Sequence, residues 1–134
     1  MELNKKELKK LMTITTTIAK ARKQVQQQVK YWGYDNTKIY VRCYSDLNQF
    51  GWDEYSTCLH IEMTDGDDWK TITLAEISVK KCDEDKTTLF ESIEHDEEKF
   101  EDLTWDVFKT MKNNVIKDLK TYNFEIEGTE DYHC

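Results

Sequence analysis

The sequence predicts an α+β fold: an N-terminal helix, a four-stranded antiparallel meander sheet, and a C-terminal helix packed on one sheet face. Three observations carry this expectation. Apolar residues recur at spacings of three and four near both ends of the chain. They alternate through the middle. An Asp-Gly pair, which favours tight hairpin turns, separates two of the alternating runs. The 134 residues fit one domain, 1–134, and leave room for a core.

Residues 3–32 read as the first helix. Leu11, Ile14, Ile18, Ala21, Val25, Val29 and Trp32 form its apolar stripe. The run "TITTTI" (13–18) opposes a helix, because β-branched side chains lose rotamer freedom there. On that reading the helix begins near Thr13, residues 1–12 are a loose extension, and Met12 is an alternative start. Gly33 closes the helix.

Two strands are read at 37–44 and 56–63. The first places Ile39, Val41 and Cys43 on one face; the second does so with Thr57, Leu59, Ile61 and Met63. After "TDGDD" a third strand covers 69–82, with an apolar phase shift between Leu74 and Ile77 that signals a bulge. The turn "DEDK" then leads to a fourth strand at 87–93. A last helix runs from about Asp96 or Thr104 to Tyr122. Its stripe is Phe100, Leu103, Val107, Met111, Val115, Leu119 and Tyr122. Residues 124–134 are expected to form a loose tail.

The charge is uneven. Residues 91–106 hold eight carboxylates answered only by Lys99. Asp96 as a helix cap, with Glu97 and Glu98 in the first turn, explains part of the run through the helix dipole. Glu94/Glu98, Glu97/Glu101, Glu98/Asp102 and Asp102/Asp106 would be like-charge pairs four apart. Together they cost about 1 to 2 kcal/mol, which roughly cancels the dipole gain. Residues 1–32 carry eight basic and two acidic side chains, whereas the remaining 102 carry eleven basic and twenty-five acidic ones. A solvated surface is one reading of that excess. The other is a negative face for a basic partner, formed by Glu94, Glu97, Glu98, Glu101 and Asp102 with Asp83, Glu84 and Asp85. Phosphate repulsion excludes nucleic acid as a direct ligand of such a face. Phe50 and Trp52, at the tip of "DLNQFGWDE", either plug the core or anchor a partner.

Other constellations carry less. Cys58, His60 and Glu62 share a strand face, and His133 and Cys134 lie in the tail. Such residues suit zinc, but three positions along a strand span about 13 Å, too far for all to ligate one ion. Tyr40, Arg42 and Tyr44 offer a dimer face or a seat for the tail. Their aromatic surface, with Trp32, motivates the expectation of a homodimer. The basic first helix packs on the sheet, pairs with its copy or touches nucleic acid. No cofactor, structural disulfide or metal is expected: no two of the four cysteines have CxxC spacing, and none of the common catalytic motifs occurs. No apolar run approaches the roughly 20 residues that span a bilayer, and no secretory signal is seen, so a cytoplasmic setting is expected.

Small size, acidity, absence of proline and an amino-acid usage typical of AT-rich coding resemble the small phage-encoded inhibitors of bacterial defence, the anti-CRISPR and anti-restriction proteins. Immunity proteins of nuclease toxins are similar in the same respects. The resemblance implies no enzyme activity. It implies a small acidic inhibitor that binds a basic, nucleic-acid-handling host protein such as a CRISPR effector, restriction enzyme or nuclease, in some cases by DNA mimicry. The alternatives are an enzyme or metal-binding protein using the His60 face, and a dimeric structural domain.

Overall fold

The computed structural model describes residues 2–48 and 51–134. The expected helix over 3–32 is two helices, α1 (Lys5–Lys10) and α2 (Ile18–Trp32), with strand β1 (Thr13–Ile14) between them. The β-branched run is the cause. Thr13 and Ile14 add an edge to the sheet, opposite Glu76 and Ala75. Asn4 caps α1 by accepting the Glu7 N–H at 2.9 Å, and Thr17 caps α2 by accepting the Lys20 N–H at 3.2 Å. The expected loose extension therefore holds a capped helix, with Leu8 fully buried.

Strands β2 (Lys38–Asp46), β3 (Glu54–Asp65) and β4 (Asp68–Lys80) form the antiparallel meander. Gly66 (φ 59°) makes the β3–β4 turn possible. The expected bulge is present. Leu59 faces Ala75 while His60 faces Thr73, so Leu74 is the extra residue. It lets Ile72, Leu74, Ala75, Ile77 and Val79 all reach the core.

The expected fourth strand, 87–93, is instead helix α3 (Thr87–His95), entered through a 3₁₀ turn (Glu84–Lys86). Leu89, Phe90 and Ile93 decide this. At positions i, i+1 and i+4 they share one helical face, and all are buried. A strand would have turned Phe90 away from the other two. In the helix its ring meets Tyr55, with centroids 5.0 Å apart.

Helix α4 (Glu97–Thr121) is capped by Asp96, whose Oδ1 accepts the Lys99 N–H at 3.2 Å. Phe100, Thr104, Phe108, Val115 and Leu119 are buried. Val107 and Met111 occupy the flank shared with Met12 and Ile18. Tyr122, expected on the stripe, is exposed.

The tail is not loose. Strand β5 (Tyr132–His133) lies parallel to β2, so the sheet is five-stranded and mixed, in the order β1-β4-β3-β2-β5. Before it, the Glu127 N–H donates to the Ile39 carbonyl (2.7 Å), and the Val41 N–H donates to the Gly128 carbonyl (3.1 Å). The Cys43 N–H donates to Asp131 Oδ1 at 2.7 Å. Phe124 is buried at the start of the tail. Without this segment β2 would be an open edge.

A chain of buried hydroxyls ties β2, β3 and α4 together. Trp105 Nε1–H donates to Ser45 Oγ (2.9 Å), Ser45 and Thr57 hydroxyls lie 3.0 Å apart, and Thr57 and Thr104 hydroxyls 2.8 Å apart. Thr104 ends the chain by donating to the Phe100 carbonyl at 2.9 Å. One direction of donation satisfies every member. Thr57→Val preserves shape but strands the Ser45 hydroxyl and leaves Thr104 Oγ without its donor. The expected loss is about 1 to 3 kcal/mol in urea unfolding. An unchanged midpoint would show that the chain carries no stability.

Candidate functional site

The start of β3, the end of β4, the 3₁₀ turn, α3 and the first turns of α4 meet at one end of the molecule. The Lys81 N–H donates to the Asp53 carbonyl at 2.9 Å, which holds the two strand ends together. Tyr55 joins this end to the helices. Its ring lies 5.0 Å from Phe90 and 6.1 Å from Phe100, and its hydroxyl donates to Glu97 Oε1 at 3.2 Å.

Residues 81–102 contribute ten carboxylates here against Lys81, Lys86 and Lys99. The structure divides them by role. Asp83 pairs with Lys86 at 3.4 Å, and Asp96 caps α4. Glu97 is half-buried beneath the Tyr55 hydroxyl. Glu101, expected on the acidic face, turns inward. It is 8% exposed and faces His133, with Oε2 and Nδ1 3.0 Å apart. Burial pushes its carboxyl above the ordinary carboxylate range, and His133 opposes that shift. Glu84, Asp85, Glu91, Glu94, Glu98 and Asp102 are exposed and form no ion pair among the described residues.

The like-charge pairs counted along one helix shrink accordingly. Glu94 belongs to α3, Glu97 and Glu101 turn inward, and Asp106 is neutralised by Lys5 at 2.8 Å. Glu98 and Asp102 remain as the unrelieved pair on α4. The repulsion is thus smaller than the sequence suggests, because three elements share the charge.

Trp52 stands beside this end. It shares a groove with Asp53, Glu54 and 80–82, immediately before Asp83, and is 74% exposed. It does not plug the core. An exposed indole at the border of a charged patch has the composition of a binding anchor. Phe50 lies outside the described residues. Glu91, absent from the sequence-predicted set, joins the exposed acidic group. Only the helical reading of 87–95 could have placed it there.

The outer sheet face is organised by the tail. Tyr132 lies 4.9 Å from Tyr44 and 6.1 Å from His60, and its hydroxyl reaches Glu62 Oε2 at 3.5 Å. Arg42 lies over the Tyr40 ring at 4.4 Å and over the Tyr132 ring at 5.3 Å. Tyr40 and Tyr44 thus seat the tail. Cys58 Sγ is 3.6 Å from His60 Nδ1, and His60 Nε2 is 3.8 Å from Glu62 Oε2. The three side chains align, yet burial pushes the Cys58 thiol up to about 11 and holds His60 below the usual imidazole value. Both stay neutral, which is the wrong state for a thiolate nucleophile. Among the described residues no group of three or more His, Cys, Asp or Glu side chains is arranged to hold a metal ion. All four cysteines are free.

The His60 shift has a pH signature. Its folded-state value lies below the unfolded 6.5, so the folded state resists protonation. Stability from this group is complete above 6.5 and falls as pH drops from there toward the folded value. His60→Gln should therefore lose less stability than the native chain between pH 7.5 and 5.5. Parallel urea titrations at the two pH values check this, and equal losses would contradict it.

Comparison with protein families, curated proteins and solved structures returns no match. Among the described residues no helix is long and apolar enough to cross a membrane.

Proposed function

We propose that this chain is a stoichiometric inhibitor that binds a basic, nucleic-acid-handling protein through its acidic end. One observation carries the reading: Glu84, Asp85, Glu91, Glu94, Glu98 and Asp102 are exposed around one end that also presents Trp52, and form no ion pair among the described residues. Carboxylates of this kind supply long-range attraction, and the indole supplies apolar contact that slows departure. A protein surface built to hold phosphates is the complementary one. Anti-CRISPR and anti-restriction inhibitors are the class this description fits, with nuclease immunity proteins next. A bacterial cytoplasm, that of the host cell for a phage-encoded protein, is the corresponding setting.

The test is capture on the immobilised native protein followed by competition with duplex DNA. A captured basic protein should be released by DNA in proportion to its concentration. Full retention at every DNA concentration would contradict a shared surface. The second reading, an enzyme or metal-binding protein, rests on the Cys58–His60–Glu62 alignment. Stoichiometric zinc lost on His60→Ala would favour it.

A further inference from the structure

Helix α4 has 25 residues, so its two ends lie about 37 Å apart. At the end remote from the acidic turns, a cleft of about 760 Å³ opens between the close of α2, the start of β2 and the residues after α4. Tyr34 and Phe124 line it as a stacked pair, with centroids 5.8 Å apart and rings 6° from parallel. Phe124 is buried and fixes the pair, and the Tyr34 hydroxyl donates to the Asn123 carbonyl at 3.3 Å. Tyr34 is nevertheless 60% exposed, so much of its ring is free for contact.

Asp35, Glu125 and Glu127 also line the cleft, against Lys38 and Lys120. None of these five forms an ion pair among the described residues. Both α2 and α4 end here, and each C-terminus adds about half a negative charge. The sum is about −2 beside an aromatic wall and an apolar floor that includes Val29 and Ile39.

We propose that this cleft binds an organic cation, with the alkylguanidinium group of arginine as the prototype. The tyrosine ring attracts a delocalised cation, the carboxylates accept its N–H groups, and the apolar floor takes its alkyl stem. A bare metal ion would use neither the ring nor the floor, and an anion would meet the wrong field. The site does not depend on the inhibitor reading, because it lies at the opposite end of α4.

The test is an NMR titration of the full chain with butylguanidine, with butylurea as a neutral analogue of similar shape. Butylguanidine should shift the Tyr34 ring and the amides of 123–127 saturably, and butylurea should leave them unmoved. Tyr34→Leu, and separately Glu125→Gln with Glu127→Gln, should each weaken binding about tenfold. A capped Gly-Arg-Gly peptide, with the same single charge, distinguishes the sources: tighter binding of the peptide points to a protein-borne arginine, and tighter binding of butylguanidine to a free cation. Three results would overturn the proposal: shifts spread equally over Glu98 and Asp102, equal shifts with butylurea, or unchanged affinity in both variants.

Discussion

Ending the chain at Asn123 is expected to lower stability by about 4 kcal/mol or more and to make the protein self-associate. Phe124 accounts for most of the loss, since removing a buried phenylalanine costs about 3 to 5 kcal/mol. Its ring also supports Tyr34. One ion pair and one histidine–carboxylate contact go with the tail. Lys112 reaches Asp131 at 2.8 Å and donates to the Thr129 carbonyl as well, and His133 faces Glu101. Glu101 would then remain an enclosed carboxyl group without its histidine partner, a more costly state than the intact contact. Glu101→Gln in the shortened chain should therefore recover part of the loss.

Self-association follows from the freed edge of β2. The Val41 and Cys43 N–H groups and the Ile39 and Ser45 carbonyls, all now bonded to the tail, would face solvent as a template for another strand. Urea unfolding and light scattering on the 1–123 chain test both parts. A native midpoint with a monomeric mass would mean that the tail is decoration.

What could be read from the sequence depended on whether one periodicity acted alone. The meander was legible because Ile39/Val41/Cys43 and Leu59/Ile61/Met63 alternate without interruption and an Asp-Gly turn joins β3 to β4. The bulge was legible because Leu74 and Ile77 break that alternation. Residues 87–93 misled because Leu89 and Ile93 fit a strand equally well. Phe90 decides between the two, and its partner Tyr55 lies 35 positions away in sequence. The tail was missed for a related reason. "NFEIEGTEDYHC" has too little apolar content to signal a strand; it is held by hydrogen bonds to β2 and by Asp131 and His133 meeting Lys112 and Glu101 of α4. The acidic face was legible as composition. Which carboxylates belong to it was not, because Glu101 differs from Asp102 only in which side of α4 it occupies.

Reversing charge at the acidic end is expected to abolish partner binding while leaving the fold in place. Glu94, Glu98 and Asp102, each changed to Lys, form the informative variant. All three are exposed and make no ion pair among the described residues. Glu98 lies in the first turn of α4, so its reversal forfeits a dipole contribution of about 0.3 to 1 kcal/mol. The native fold tolerates that loss. Glu97 and Glu101 must be left intact, because Tyr55 and His133 depend on them. Trp52→Ala should act differently. An anchor at the border of the patch governs residence, so its loss should raise the dissociation rate and leave association nearly unchanged.

The most direct test is the association rate of the native and charge-reversed proteins with the captured partner, measured from 0.15 M to 1 M salt. The Debye length shrinks from about 8 Å to about 3 Å over that range. The native rate should fall steeply with salt, and the reversed protein should associate slowly at every concentration or not at all. Equal rates with equal salt dependence would mean that the carboxylates of α3 and α4 are a solvated surface and that the partner binds elsewhere.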